Sequence, residues 1–576
     1  MVAHHLAAAG LPHHIAADLQ DRYQVVLTLQ DPALPQGLHQ VADPQVVVLH
    51  QGDRLNQYNS VKEVHSLNKE CRDSFIKNSN SMKKIGLIIF VILSVFTMVT
   101  AQNVDDALRY SQIFYGGSAR FMSMGGAFTA LGGDISSLSQ NPAGLGVFRA
   151  SELTITPQLF QIKTKAGFNG AMSSSNLSDF NLSQIGIVAN LISNNNDAGL
   201  ITLNLGYSFD KTNNLSQSTV IKGVNNSSSM ADYWVSRANG NTKAGLPDNA
   251  WMANQVWLID TLSGSNSLYG TAFSNYGDNP PSVYGQTIQR IITNGGYTGE
   301  HAISIGGNFS NKIFFGATLG ISQLRYTSQY EHLESTDLAL PSQFKSFTYT
   351  DYYEEKGTGY SLKFGAIIKP IEALRIGLAF HSPTWYKIGD YFYTDLTSSF
   401  TDGGHYEASI NPQRFNYALA TPFRALAGVA VQIKKFALLS ADYEYVDYTT
   451  ARFSETGDGH DYSQENDQIK NSLKPTSNIR FGGEFRLNNL YLRAGYGFYG
   501  KSFSSNEDNA NLDYNTISFG AGIREQNISI DFAFTNYNYS QKYILYPVDA
   551  GIDPAVANLN TVKNMFTLTF GYKFGI

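Results

Sequence analysis

Phe566-Thr567-Leu568-Thr569-Phe570-Gly571-Tyr572-Lys573-Phe574-Gly575-Ile576 is the stretch that decides the fold. Apolar or aromatic residues occupy every second position, and small or polar residues lie between them. A period of two places the first set on one face of a strand and the second on the other. A greasy, aromatic face opposite a small, polar one is the pattern of a strand in a transmembrane β-barrel, with one face in lipid and the other in a lumen.

The pattern recurs upstream. Over Leu200–Phe209, Ile201, Leu203, Leu205, Tyr207 and Phe209 alternate with Thr202, Asn204, Gly206 and Ser208. Further strands are expected near 151–163, 182–192, 301–309, 313–326, 360–369, 373–387, 423–433, 436–448, 478–487, 490–499, 514–524, 528–539 and 563–576. Short connections (193–197, 310–312, 370–372, 434–435, 488–489 and 525–526) alternate with long ones (164–181, 210–300, 327–359, 388–422, 449–477, 500–513 and 540–562). Short periplasmic turns alternating with long external loops are expected of an outer-membrane barrel with both ends periplasmic. The fold class is therefore an all-β antiparallel barrel of about 14 strands. Segments 344–356 and 390–399 are candidates for pairing above the membrane.

Residues 82–101 read as a signal peptide. Met82-Lys83-Lys84 is basic, Ile85 to Val99 is almost wholly apolar, and Val99-Thr100-Ala101 places small residues at the −3 and −1 positions of a cut. Residues 1–81 differ in character, with His4, His5, His13, His14 and the single cysteine, Cys71. They are expected to be a disordered leader from an over-called start, with Met82 the true start. The His pairs lack partners at metal-ligand spacing, so no metal is expected.

Composition agrees with a barrel. The chain holds 51 Gly, 34 Tyr and 35 Phe with 15% charged residues, which suits aromatic girdles. A mean hydropathy of −0.20 is compatible, because polar loops and a polar inner face dilute the lipid face. A mature chain without Cys71 has no thiol, which excludes disulfides, Fe–S clusters and Cys nucleophiles. The net charge of −6, without a basic cluster, excludes nucleic acid as a partner.

Residues 102–150 read as a Gly-rich, partly helical segment ahead of the first strand. It includes Gly116-Gly117-Ser118-Ala119-Arg120, Met124-Gly125-Gly126-Ala127 and Asn141-Pro142-Ala143-Gly144-Leu145. With the strand count, with Leu374 to Pro383 (a G-x-x-[YF]-x-S-P-like strand) and with Leu492-Arg493-Ala494-Gly495-Tyr496, it resembles the FadL/TodX family of outer-membrane transporters for long-chain fatty acids and other hydrophobic compounds. The resemblance covers essentially all of 102–576. It implies that 102–150 is a hatch inside the barrel 151–576, that Asn141, Pro142, Ala143 and Gly144 shape the hatch loop, and that ligand leaves sideways through a gap in the wall. It implies a monomer whose partners are a hydrophobic small molecule and outer-membrane lipid, with no cofactor and no enzymatic activity.

The longest loop, 210–300, carries Trp234, Trp251 and Trp257, three of the four tryptophans. With Met252 they are candidates for ligand capture. Asp248 is a candidate N-cap for a helix through Met252, Val256 and Ile259, and Val283, Ile288, Ile291 and Ile292 suggest a second amphipathic turn. A plain alternative is a small core that folds this loop over the mouth.

Other signals lead nowhere. Gly495 to Gly500 fits G-x-G-x-x-G inside a strand with no following helix. His381-Ser382 lacks an orienting acid. Asp458, Asp461, Glu465 and Asp467 suit a solvated loop better than calcium. Arg480, Glu484, Arg486, Arg493, Asp442, Glu444 and Asp531 are expected to form a lumen network with the hatch. Rival functions are an outer-membrane partner of a secretion or surface-attachment system, and a receptor for a porphyrin-like ligand.

Overall fold

The computed structural model describes residues 103–194, 198–274, 282–457, 459–547 and 554–575. The expected leader and signal peptide lie outside these residues. In chain order the strands are β1 (Ser151–Phe168), β2 (Ala171–Ser193), β3 (Leu200–Asn214), β4 (Gln217–Asn225), β5 (Ile259–Thr261), β6 (Tyr269–Thr271) and β7 (Gln286–Phe309). They continue as β8 (Ile313–Ser335), β9 (Phe344–Ile371), β10 (Leu374–His381), β11 (Trp385–Phe400), β12 (His405–Ala420), β13 (Arg424–Ile433) and β14 (Ala437–Asp447). Last come β15 (Arg452–Glu455), β16 (Pro475–Leu487), β17 (Leu490–Tyr499), β18 (Tyr514–Glu525), β19 (Ile528–Ile544) and β20 (Val556–Phe574).

Fourteen of them close a barrel. The antiparallel circuit runs β1, β2, β3, β7, β8, β9, β10, β13, β14, β16, β17, β18, β19 and β20, and β20 returns to β1. The alternation at the C-terminus places Phe566, Phe570, Tyr572 and Phe574 on the outer face, with Thr567 and Thr569 buried within. Leu205, Ile303, Phe315, Leu362, Leu378, Leu439, Phe481, Leu492, Phe519 and Phe532 continue this outer belt around the wall, all exposed. A belt of that extent is stable only in hydrocarbon.

Above the belt the sheet branches. The upper half of β9, Phe344 to Tyr360, pairs with β11, which pairs with β12, which pairs with β15. Segments 344–356 and 390–399 thus pair as an extension of the wall. Two loop readings are overturned. Residues 164–181 form a hairpin rather than a long loop, turned at Asn169-Gly170, both with positive φ. Asn-Gly is the strongest short hairpin signal, and the Ser/Asn-rich strand after it has too few apolar residues to show periodicity. Likewise Ile288 and Ile292 belong to β7, where they alternate with outward residues, rather than to a helical turn.

Residues 103–150 pack inside the barrel. They comprise α1 (Val104–Ser111), α2 (Ala119–Ser123), α3 (Ser137–Gln140) and a 3₁₀ turn over Pro142–Val147. Asn103 caps α1 by accepting from Asp106 N at 3.0 Å, with Arg109 in the last turn. The wall is recessed to admit this segment. Gly306, Gly316 and Gly365 are direct cross-strand partners, as are Gly377 with Gly428 and Gly482 with Gly495. A Cβ at any of these seven would meet an atom of the segment at under 3 Å, Pro142 O and Leu145 among them. Absent side chains at this level let backbone meet backbone.

At the long-loop end, α4 (Met230–Ala238) and α5 (Asp248–Gln255) fold with the hairpin β5–β6 into a core. Trp234, Met252, Ala253, Phe273, Phe344, Phe347 and Tyr546 are among its members. Ser229 and Asp232 form a capping box at α4. The Asp248 helix exists, although Pro247 rather than Asp248 takes the cap position.

Candidate functional site

The Asn141-Pro142-Ala143-Gly144 turn is fully buried against β8, β9 and β10. Asn141 Nδ2 donates to Thr129 O at 2.6 Å and to Leu378 O of β10 at 3.3 Å, with Ala366 O of β9 at 3.5 Å. Its Oδ1 accepts from Ala143 N at 3.1 Å. Pro142 holds Asn141 extended, φ −137° and ψ 100°, so that the amide oxygen caps the turn while the amide nitrogen reaches the wall. One side chain therefore ties the segment's own fold to the seam between two barrel strands. Beside it, His381 Nε2 donates to Gln140 O at 2.7 Å, so the His381-Ser382-Pro383 motif anchors the same turn.

Charged lumen residues bind the rest of the segment. Arg120 Nε reaches Glu484 at 3.0 Å, and Glu484 also accepts from Arg493 Nε at 2.7 Å, while Arg493 holds Asp531 at 2.6 Å. Asp442 accepts from Thr129 N and Oγ1 at 2.9 and 2.7 Å. Glu444 lies between Arg480, at 2.7 Å, and Arg424, and Arg424 also donates to Ser111 O. Six of the seven charged residues expected in this network are there. Arg486 is not: it is exposed at the short-turn rim and donates to Asn488 O. Sequence reading missed Arg424, Glu300 and Lys363. Lys363 Nζ contacts Glu300 at 2.5 Å and Ser139 O at 2.8 Å. Each is a charge at an inward position of an alternating strand, which is the signal that marks it.

A cavity of about 340 Å³ lies over this segment. Leu108, Phe114, Met122, Ile162, Phe503, Leu512 and Met565 supply its apolar lining, and Tyr326, Tyr514, Tyr537 and Tyr539 its aromatic, polar-tipped lining. Phe114 packs on Tyr499 and Tyr514, both with centroids at 5.0 Å. Cations share this lining, among them Arg109, 4.6 Å from the Tyr326 centroid, and Lys563, 5.9 Å from the Phe160 centroid.

Beside the cavity the pairing of β2 with β3 lapses. The β2–β3 ladder ends at Gln184 and Asp210. Above that point the carbonyls of Lys211 and Thr212 accept instead from Gly116 N at 2.9 Å and Phe114 N at 2.8 Å. Two irregularities part the strands. Ser183 is the extra residue in β2 opposite Thr156 and Pro157, and Thr212 is the extra residue in β3 opposite β7. Ser183, Lys211, Asn213 and Asn214 all line the cavity, so cavity and gap are continuous. Among the described residues, Ser173 and Ser175 rejoin the edge higher up through side-chain bonds to Val220 O and Ser218 O.

No protein-family model and no curated protein sequence matches the chain. Among solved structures, a FadL homologue from Pseudomonas aeruginosa aligns over 81% of this chain and 100% of its own, with a TM-score of 0.50 at 12% identity. The fold is FadL-like. The P. putida toluene transporter TodX aligns over 80% of this chain and 99% of its own, at TM-score 0.45 and 13% identity. The monoaromatic hydrocarbon channel CymD aligns over 80% and 98%, at 0.42 and 12%.

Within this FadL-like barrel the four candidate capture residues divide. Trp234 and Met252 are completely buried in the core over the long-loop end. Trp251 and Trp257 stand on its surface, 41% and 46% exposed. Trp257 has positive φ, 59°, and its ring lies 6.4 Å from Tyr406. The loop-folding core accounts for the first pair, and only the second pair is available to a ligand from outside.

Proposed function

We propose that the protein is an outer-membrane channel that lets hydrophobic small molecules, long-chain fatty acids among them, diffuse inward past a hatch formed by residues 103–150. The observation that carries this reading is the cavity above the hatch running into the unpaired stretch between β2 and β3. A ligand in that cavity is surrounded by Phe114, Met122, Ile162 and Met565 and has a sideways route through the wall into the membrane. In this reading the long-loop end faces the outside and both chain ends face the periplasm.

No energy source is needed. Returning an acyl chain to water costs about 0.8 kcal/mol per CH₂, so partitioning from cavity to bilayer drives release. Asn141 keeps the hatch seated while the Phe114–Gly116 segment occupies the gap. Trp251 and Trp257 offer a first apolar contact outside. The protein acts as a monomer, with ligand and membrane lipid as its partners.

The test is mass spectrometry of ligands extracted from the protein purified in a detergent without fatty chains, with uptake of a labelled fatty acid and of toluene by cells. A bound hydrophobe and uptake that falls at least tenfold when Phe114 and Gly116 are disulfide-locked to β3 support the channel. An empty cavity together with uptake indifferent to the lock sinks it.

A further inference from the structure

Outward-facing residues change character above the belt, and they do so unevenly around the wall. On β16 to β19 the positions above the apolar belt are Ser477, Tyr496, Asn515, Asn536 and Asn538. On β8, β9, β11 and β12 they are Arg325, Lys356, Lys387 and Arg414. All four are exposed. Arg325 and Lys356 are direct cross-strand partners. Lys356 is opposite Gly389, two residues from Lys387, and Arg414 is opposite Tyr391.

Like charges placed directly opposite on a sheet repel and destabilise it. Among the described residues the only carboxylate that answers them is Glu354, paired with Lys356. Arg414 rests on Tyr391, 5.3 Å from its centroid, and Tyr352 stacks on Tyr393 at 5.1 Å. Four cations around a glycine, beside stacked tyrosines, form a bed for a group with more than one negative charge and flat sugar faces. Arginine and lysine are the side chains that bind phosphate.

Beneath the cations the same face is hollowed. A depression of about 530 Å³ lies across β9, β10, β13 and β14. Its floor is Gly365, Ala366, Ala425 and Ala427, and aromatic rings including Phe364 and Phe380 wall it. Lys356 and Phe364 are on the same face of β9, eight residues or about 27 Å apart at the usual rise of a strand. On a strand tilted by about 40° this is a depth of about 20 Å, from the headgroup level to the inner end of the acyl region of one leaflet.

We infer that this wall, from Arg325 and Arg414 down to the Phe364–Phe380 depression, binds one phosphorylated, polyacylated glycolipid of the outer leaflet, lipopolysaccharide. Phosphates meet the four cations, sugar faces meet Tyr352, Tyr391 and Tyr393, and acyl chains fill the depression. The inference rests on the outer-membrane reading above. It concerns the lipid face, so it is independent of what passes through the lumen.

The experiment is native mass spectrometry of the full mature barrel in nanodiscs, titrated with lipopolysaccharide and with the same lipid dephosphorylated. The intact lipid is expected to bind at one per barrel, with affinity at least tenfold lower after dephosphorylation. The variant R325Q/K356Q/K387Q/R414Q should lose binding by a similar factor, and Ala427→Phe, which fills the depression, should weaken it separately. Equal binding of both lipid forms by the unaltered protein would overturn the inference, whether or not the fourfold variant folds. So would unchanged binding by that variant. Outer-membrane fractionation and the heat-shifted gel mobility of folded barrel separate this outcome from failure of the membrane reading, which would overturn both.

Discussion

The side-chain oxygen of Asn141 occupies the space that a methyl group on Gly365 would need. The two residues are 224 apart in sequence, one on the Asn141-Pro142 turn and one on β9, and neither tolerates the other's enlargement. Gly365→Ala should therefore unseat Asn141 without touching it chemically. The expected cost is about 1–3 kcal/mol for the overpacked contact. Single-channel conductance should show larger or more frequent openings, and cells should become more sensitive to large antibiotics. A tight, silent G365A barrel would show that the hatch is held elsewhere.

Gly116 offers a second, separable contact. A Cβ there would collide with Lys211 O, whose bond to Gly116 N closes part of the gap. Gly116→Val is expected to detach the Phe114–Gly116 segment from β3 while leaving the Asn141 turn seated. Hydrogen exchange at residues 113–117 should rise at least tenfold, with exchange at 137–147 unchanged. Equal exchange in both segments would mean that the hatch moves as one body.

The two classes of loop tryptophan should respond in opposite ways. Trp234→Ala empties a completely buried site and is expected to cost about 3–5 kcal/mol of cap stability. Trp257→Ala, at an exposed ring, should change stability by less than about 0.5 kcal/mol. If the exposed pair captures ligand, W251A/W257A raises the ligand concentration for half-maximal uptake severalfold at unchanged maximal rate. Proteolysis of the loop and uptake kinetics check both halves.

The cap should have a pH optimum. Glu334 is completely buried above the belt, and burial raises its carboxyl to about 7 against bonds from Met230 N, Ser229 Oγ and Gln286. A raised carboxyl favours the folded state at low pH, and that stability is lost as pH rises from the unfolded value through about 7. Its partner His332, 3.0 Å away, is held neutral by burial and by Arg290, with its pKa well below the usual range. A depressed histidine contributes stability above its unfolded value, about 6.5, which is lost as pH falls. Between the unfolded carboxyl value, about 4.3, and about 6.5 the two slopes cancel, so protection of α4 amides should be greatest across that window and fall on both sides of it. Glu334→Gln should remove the loss on the alkaline side, and His332→Asn the loss on the acid side. An α4 whose protection is flat from about pH 3 to 8 in the unaltered protein would contradict this.

Much of the barrel was legible residue by residue. Ile201 to Phe209 and Phe566 to Phe574 announce their faces because lipid and lumen demand opposite chemistry at alternate positions. The short turns at 310–312, 434–435, 488–489 and 525–526 stand where alternation breaks, and each carries a residue with positive φ. Long-range pairings were less visible. Segments 344–356 and 390–399 could be named as a pair above the membrane, but the single strand expected over 373–387 is two: β10 ends at His381, and β11 begins at Trp385 outside the barrel circuit, since a strand's partners are chosen by sheet geometry and not by its own pattern. Asn141 could be singled out from its tripeptide, but its acceptors, Thr129 and Leu378, lie 12 and 237 residues away and have no motif.

Alternation, aromatic content and turn spacing, all local properties, by themselves determined that this chain is a barrel of about fourteen strands preceded by a glycine-rich segment. Only the tertiary structure decided where that segment sits, that rows of glycine recess the wall to receive it, and that two bulges, at Ser183 and Thr212, part β2 from β3 beside a cavity. Those outcomes depend on which strand lies next to which and in what register, and one residue of slip would turn every lumen side chain into the lipid.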